Sequence, residues 1–330
     1  MRILVLGGTG WLGGTIAARA VERGHDVTSL SRGGSAAPQG ARHAVADRDH
    51  PDAYADVAGA HWDAVVDVAT QPGQVRGAVR ALAERAEAYL FVSTASVYAA
   101  NDIVGADEDA AVEPALVADT MTSMEQYGGA KVACEEAVTA AFGADRRLIA
   151  RPGLIGGPGD RTGRSGYWPW RFAHPAATDG SVLVPAGDGL VAAMIDVRDL
   201  AEWLVGCAES GTVGVVNAMA NSRPLADHLA VARRVAGHDG PLVAVADGWL
   251  AEHDVNEWMG PRSLPLWIAD PAYRGFGARS TARAEAAGLA TRPLEETLAD
   301  TLAWEETVTQ PHGAGLTDDE ERELLADRPR

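Results

Sequence analysis

The 330-residue chain predicts an α/β fold, a doubly wound parallel sheet followed by a C-terminal region of different texture. Three observations carry that reading. Through the first 150 residues or so, short apolar runs alternate with helical stretches of roughly 10–15 residues, the pattern of βαβ units. A glycine-rich turn, Gly7-Gly8-Thr9-Gly10-Trp11-Leu12-Gly13, joins the first apolar run to the first helical one. After Pro152 the texture changes to loops rich in glycine, arginine and aromatic residues.

The elements follow in order. Residues 3–6 read as a buried strand, 12–23 as a helix closed by Gly24, and 26–31 as a second strand. A third strand precedes Asp47-Arg48. Residues 64–68 form another, bounded by a turn at Gln71-Pro72-Gly73. A helix over 75–88 leads to a strand at 90–93. A long helix covers 123–141, and a strand at 147–150 ends at Arg151-Pro152-Gly153. Beyond it, residues 193–195 and 213–217 read as strands around a helix at 200–209. Ser280 precedes a helix at 283–288, and Pro293 opens one at 294–306. Thr317-Asp318-Asp319-Glu320 is a capping-box pattern ahead of Leu324-Leu325.

Composition narrows the function classes. Hydrophobic residues are 47% and charged residues 22%, close to the globular average. There are 46 acidic against 28 basic side chains, a net charge of −18. That excess repels phosphate backbones and anionic lipid, so neither nucleic acid nor a membrane surface is an expected partner. Cys134 and Cys207 are the two cysteines, too few for a disulfide framework or a cysteine zinc site, and the nine histidines show no metal-ligand spacing. No metal is expected. The first apolar run is too short for a signal peptide, and no 18-residue apolar stretch exists, so the expected location is cytoplasmic.

The glycine turn has the context a dinucleotide site requires: a strand before it, a helix after it, and a second strand beyond. Gly7 permits the tight turn, Gly10 lets backbone amides approach a pyrophosphate, and Gly13 lets helix pack on strand. The spacing is G-x-x-G-x-x-G. An NAD-selective site places a carboxylate after the second strand. Here Ser31 and Arg32 stand there, a hydroxyl and a guanidinium suited to a 2′-phosphate, so NADP(H) is favoured over NAD(H). Asp47 and Arg48 follow the third strand, where an adenine contact would lie.

Tyr127-Gly128-Gly129-Ala130-Lys131 sets a phenol and an ammonium one helical turn apart. Of the 28 basic side chains this is the single lysine. A compact ammonium suits a place beside both a phenol and a ribose, where a planar guanidinium does not. A nearby cation would lower the Tyr127 pKa toward working pH and make it a general acid/base. Upstream, Ser93-Thr94-Ala95-Ser96-Val97-Tyr98 ends a central strand at the ligand crevice. Thr94 is the first choice to hold a substrate oxygen, Ser93 the rival and Ser96 a third.

Together the glycine turn, the 93–98 segment, Tyr127-x-x-x-Lys131 and Arg151-Pro152-Gly153 through Gly157-Pro158-Gly159-Asp160 resemble the extended short-chain dehydrogenase/reductase superfamily, in its NAD(P)-dependent epimerase/dehydratase branch. Ile195-Asp196-Val197-Arg198-Asp199-Leu200-Ala201 is similar to its usual downstream segment and residues 288–304 to its closing helix, so the resemblance spans about residues 1–305. It implies a Rossmann-type doubly wound parallel sheet over 1–155, which binds NADP, and a smaller substrate-binding region over 156–330, interleaved with that sheet. It implies a catalytic set of Thr94, Tyr127 and Lys131. Ala69, Ser93, Pro152 and Gly153 complete the expected cofactor contacts with Gly7, Thr9, Gly10, Trp11, Leu12, Gly13, Ser31, Arg32, Asp47, Arg48, Tyr127 and Lys131. A homodimer is the expectation by analogy.

Two departures narrow the chemistry. Sugar-nucleotide dehydratases of this branch carry Asp-Glu after the catalytic Thr; here Ala95 and Ser96 follow. The epimerases that retain NAD carry an acid after strand two, and none is present. The favoured reaction is NADPH-dependent reduction of a ketone or aldehyde, or the reverse alcohol oxidation. The alternatives are an epimerase of a sugar or sugar nucleotide, and a non-catalytic dinucleotide-sensing protein. For the substrate, Ser96, Tyr167, Trp168 and Trp170 are expected contacts. With Arg161, Arg164 and Arg171 near this stretch, an aromatic or anionic small molecule fits.

Overall fold

The computed structural model describes residues 1–308 and 313–328. Its centre is a seven-stranded sheet with every neighbouring pair parallel. β1 (Arg2–Leu6) lies between β2 (Asp26–Ser31), with β3 (Arg42–Val45) beyond it, and β4 (Trp62–Asp67). β5 (Ala86–Val92) and β6 (Arg147–Ala150) continue outward from β4. Strand order therefore reverses between β1 and β4, and a crevice opens there at the carboxyl ends.

Both faces of this sheet are covered, so β1 is apolar throughout instead of alternating. Ile3 and Val5 pack toward α1 (Trp11–Glu22), against Ile16 and Ala20. Leu4 and Leu6 point the other way, to Val75 and Val79 of α3 (Pro72–Leu82) and Val138 of α4 (Tyr127–Phe142). A short α2 (Ala55–Ala58) precedes β4. The two free cysteines are buried, one in each layer.

The remaining chain builds a second, smaller core. β7 (Leu154–Gly156) pairs with β10 (Met194–Asp196), and α5 (Tyr167–Ala173), β8 (Val182–Pro185) and β9 (Val191–Ala192) lie between them in sequence. α6 (Val197–Ser210) then returns to the large sheet and packs on α1, and β11 (Gly214–Val216) joins β6 as that sheet's edge strand. The second region is thus interleaved with the first. β12 (Arg223–Pro224) pairs with β9, and α7 (Leu225–Val235) leads to β13 (Leu242–Val245), which pairs with β8. α8 (Asp247–Glu252), the paired β14 (Asn256–Trp258) and β15 (Ser263–Pro265), and α9 (Ala282–Ala286), α10 (Leu294–Glu305) and α11 (Asp318–Asp327) complete the chain. Thr317 and Glu320 form the expected capping box at the start of α11.

Boundaries shift by a few residues throughout, and two of the shifts have a plain physical reason. The helix expected over 75–88 ends at Leu82, and the strand begins at Ala86. Residues 83–88 are good helix formers, but Ala86 pairs with Trp62 and Ala88 with Ala64, and sheet pairing overrides propensity. The turn expected at Gln71-Pro72-Gly73 is the start of α3, with Gln71 as N-cap and Pro72 as first helical residue.

Arg48 also departs from its expected place. Its guanidinium, expected near an adenine, is committed to a buried network: its two Nη atoms bind the buried Asp67 at 2.7 and 2.8 Å, and its Nε donates to Tyr54 Oη at 2.8 Å. Asp67 accepts further bonds from Tyr89 Oη and the Ala69 amide. Burial pushes the Asp67 carboxyl up, but the Arg48 charge and these bonds outweigh it and hold it below the usual carboxylate range. Asp67→Ala leaves a buried guanidinium unpaired and is expected to cost about 3–5 kcal/mol, read as a loss in a urea midpoint. In the wild type the pair's contribution is complete above the unfolded carboxyl's pKa of roughly 4 and declines as pH falls below it. The variant lacks that acid limb.

Candidate active site

The crevice beside β1 is built by the glycine turn. Gly7 has φ +91°, in the left-handed region, and a Cβ on Gly13 would stand 2.2 Å from the Gly7 carbonyl oxygen. Gly10 is the N-cap of α1 and gives it no side-chain cap, so the first amides of the helix face the crevice bare. These features fit a dinucleotide pyrophosphate. Trp11 ties the turn to the second region: its indole Nε1 donates to the Pro158 carbonyl at 2.8 Å.

At the end of β2, Thr9 Oγ1 donates to Ser31 Oγ at 2.9 Å, and Ser31 also meets His43 Nε2 at 2.8 Å. Arg32 is exposed and has no hydrogen bond or ion pair among the described residues. Asp47 is exposed and accepts from the Asp49 amide.

Tyr127 opens α4, and Lys131 follows one turn later. The two glycines between them explain how the helix comes so close to the strand ends. A Cβ on Gly128 would stand 2.4 Å from the Ser96 carbonyl, and one on Gly129 2.8 Å from that of Pro114. Thr94 Oγ1 caps the following turn by accepting from the Ser96 amide at 3.1 Å. Burial pushes the Tyr127 phenol above its usual pKa, while the Thr94 hydroxyl and the Arg164 charge pull it back. The lowering expected from Lys131 is not what the site produces. Lys131 is buried, and its ammonium donates to the carbonyls of Ala69 at 2.7 Å and Val92 at 2.6 Å, 4.4 Å over the Phe91 ring. Burial pushes its pKa down to about 8.

The choice between Thr94 and Ser93 is decided by what lies beneath. Ser93 Oγ donates to the buried Glu135, which is also held by Arg151 Nε and Nη2 at 3.0 and 2.7 Å. Ser93 is therefore turned into a buried network, and Thr94 is the hydroxyl at the phenol. Glu135 sits one turn after Lys131, so this network fixes the inner face of α4 against β5 and β6.

One cleft, about 1020 Å³ with the open solvent at its mouth included, is lined by Gly10, Trp11, Leu12, Gly13, Ser93, Thr94, Ser96, Tyr127, Lys131, Pro152 and Gly153. Tyr167, Trp168 and Trp170 do not line it, contrary to expectation. Tyr167 and Trp168 are buried in the second core, and Trp168 Nε1 donates to the Pro265 carbonyl. Trp170 packs against His174 with ring centres 4.0 Å apart and planes tilted by 36°. The reason is α5, which turns Tyr167, Trp168, Arg171 and Phe172 inward together. Arg171 binds Asp318 and Glu321 there. The far wall is made instead by Arg164, Trp258 and Phe276. Arg164 was near the expected roof. Trp258 and Phe276 come from short, aperiodic segments that carry no sequence signal. Among the described residues no group of three or more His, Cys, Asp or Glu side chains is placed to hold a metal ion, and no helix is long and apolar enough to cross a membrane.

A parallel sheet with a glycine turn at its switch point and a Tyr–Lys pair on the adjoining helix defines the extended short-chain dehydrogenase/reductase superfamily. The chain belongs to the NAD dependent epimerase/dehydratase family, whose model matches residues 3–218. That family binds an NAD(P) dinucleotide. The fold is similar to that of a Burkholderia cenocepacia J2315 protein (24% identity, 93% of this chain and 98% of that one, TM-score 0.69). It is also similar to UDP-N-acetylglucosamine 4-epimerase from Bacillus cereus (14%, 96% and 100%, 0.68). A third likeness is UDP-glucose 4-epimerase from Bifidobacterium longum in complex with NAD+ and UDP (16%, 93% and 98%, 0.64). No curated protein matches the chain.

Proposed function

We propose that the chain is an NADP(H)-dependent oxidoreductase that reduces the carbonyl of a small molecule, or oxidises the corresponding alcohol. The observation that carries this reading is the Thr94–Tyr127 hydroxyl pair, which faces the cleft with Lys131 alongside and no acid/base carboxylate after Thr94. Among the described residues Asp160 is the one carboxylate on the cleft lining, and it is held by the Thr162 amide and by Ser165. Water elimination needs an acid/base pair that this lining does not offer.

A nicotinamide dinucleotide held by the glycine turn and Lys131 would supply or accept a hydride at the substrate carbon. Thr94 and Tyr127 hold the substrate oxygen between two hydroxyls. Burial keeps the Tyr127 phenol protonated at neutral pH, so it serves as general acid in the reducing direction. Lys131 has three N–H donors, two of them on Ala69 and Val92. The third is left for a ribose hydroxyl. Arg32, exposed and unpartnered among the described residues, is suited to a 2′-phosphate.

A second reading, epimerase action on a sugar or sugar nucleotide, draws on the Bacillus and Bifidobacterium enzymes. It uses the same hydroxyls but keeps its cofactor throughout. Titration of the purified chain, read by tryptophan fluorescence after a test for co-purified nucleotide, separates the two. The expected result is freely exchanging NADPH preferred over NADH. In Arg32→Glu the preference is expected to shift toward NADH by roughly ten- to a hundredfold, the worth of a charge-assisted bond. Tightly held NAD(H) would instead put the epimerase first, and binding of neither nucleotide would remove both readings.

A further inference from the structure

The cleft continues into a shallow recess of about 30 Å³, room for little more than a water molecule. The two share Gly153, Leu154, Trp258 and Phe276. The recess is walled by apolar side chains, among them Met219, Leu266 and Ile268, and its lining holds no carboxylate. Its one charged group is Arg274, which is exposed. At the junction with the cleft stands Arg164. Its Nε donates to Thr162 Oγ1 at 3.1 Å, and its guanidinium lies 5.2 Å over the Trp258 ring. Neither Nη atom has a hydrogen bond or ion pair among the described residues. The group is half-buried, and its charge is felt at the Tyr127 phenol. A guanidinium on the cleft lining, oriented by one bond and one aromatic face and with no partner at either Nη among the described residues, is prepared for a two-oxygen anion.

We propose that the substrate is a small oxo acid with an apolar or aromatic body: its carboxylate pairs with Arg164, its body lies in the cleft against Trp258 and Phe276, and its carbonyl oxygen reaches Thr94 and Tyr127. This inference rests on the reductase reading. In the step, the carbonyl carbon gains one hydride, a hydrogen with its electron pair, from a reduced nicotinamide dinucleotide, which is oxidised. The C=O π bond opens onto oxygen, and that oxygen takes the Tyr127 proton. The carboxylate is unchanged and the product is a hydroxy acid.

The test uses the full chain with NADP+ and three probes: an aryl-substituted 2-oxo acid, its methyl ester and uridine diphosphate. Binding is read from tryptophan fluorescence, which Trp258 beneath Arg164 should report. The acid is expected to bind roughly ten- to a hundredfold tighter than its ester. Arg164→Gln should erase that difference while leaving ester binding in place, and Arg164→Lys should restore part of it. Equal binding of acid and ester, no binding of either, an unchanged ratio in Arg164→Gln, or uridine diphosphate binding tighter than the acid would each overturn the proposal. NADPH oxidation is measured separately. An acid that binds through Arg164 but is never reduced overturns the reductase reading and leaves the anion site. Esters reduced as fast as acids overturn the anion site and leave the reductase.

Discussion

Tyr127→Phe is expected to fold, to bind the dinucleotide, and to lose about 10²–10⁴-fold in kcat for carbonyl reduction. The substitution removes one oxygen and keeps the ring, so the close approach of α4 to the Ser96 and Pro114 carbonyls is untouched. No buried partner is orphaned, because Thr94 Oγ1 retains the Ser96 amide and hydroxyl. The stability change should therefore stay within about 1 kcal/mol. The loss falls on kcat because the phenol's proton moves only in the transition state. Burial sets the phenol's pKa high, so its own titration limb should lie above neutral pH. Single-turnover NADPH oxidation with a saturating ketone is the measurement. Turnover within a few-fold of wild type would remove Tyr127 as the proton donor.

The first βαβ unit was readable because each of its signals is local. The apolar run, the glycine turn and the closing Gly24 all act within a few residues, and β2 is found over the residues expected, Asp26–Ser31. The Tyr–Lys pair was readable for the same reason: one helical turn sets its geometry. What escaped is set by distant partners. Nothing near Arg48 announces that Asp67 will be buried beneath it. Nothing near Ser93 announces Glu135, which decides that Thr94 and not Ser93 meets the phenol. The aromatic stretch 167–170 looked like a pocket wall because aromatic composition does not say which way a helix faces. The true wall comes from Trp258, at φ +68°, and Phe276, beyond strands of three residues where no periodicity can develop. The expected lowering of the Tyr127 pKa failed on direction as well: spacing placed Lys131 beside it, but two main-chain carbonyls hold the ammonium.

Lys131→Met should separate function from stability most sharply. Met keeps the length of the chain and gives up the charge. The wild-type ammonium is buried, and burial pushes its pKa down to about 8, so the folded protein holds that proton at a cost. Relieving the cost offsets the two lost carbonyl bonds, and the variant's melting temperature should equal or exceed wild type. The sign with pH follows from the direction of the shift. Any gain is fullest below pH 8 or so and fades as pH rises toward the unfolded lysine's pKa of roughly 10.4, because the folded wild type sheds the costly proton across that window. Function should move oppositely. Without the third N–H donor, NADPH affinity and turnover fall, each by about tenfold or more. In the wild type NADPH affinity should be full below that same pH and weaken above it as the ammonium titrates, whereas the Met variant should be flat. Arg is not expected to rescue, since a planar guanidinium does not fit between the Ala69 and Val92 carbonyls beside Phe91. A Met variant that melts well below wild type yet binds NADPH normally would make Lys131 a structural residue, and the catalytic set would then have to be redrawn around Thr94 and Tyr127 alone.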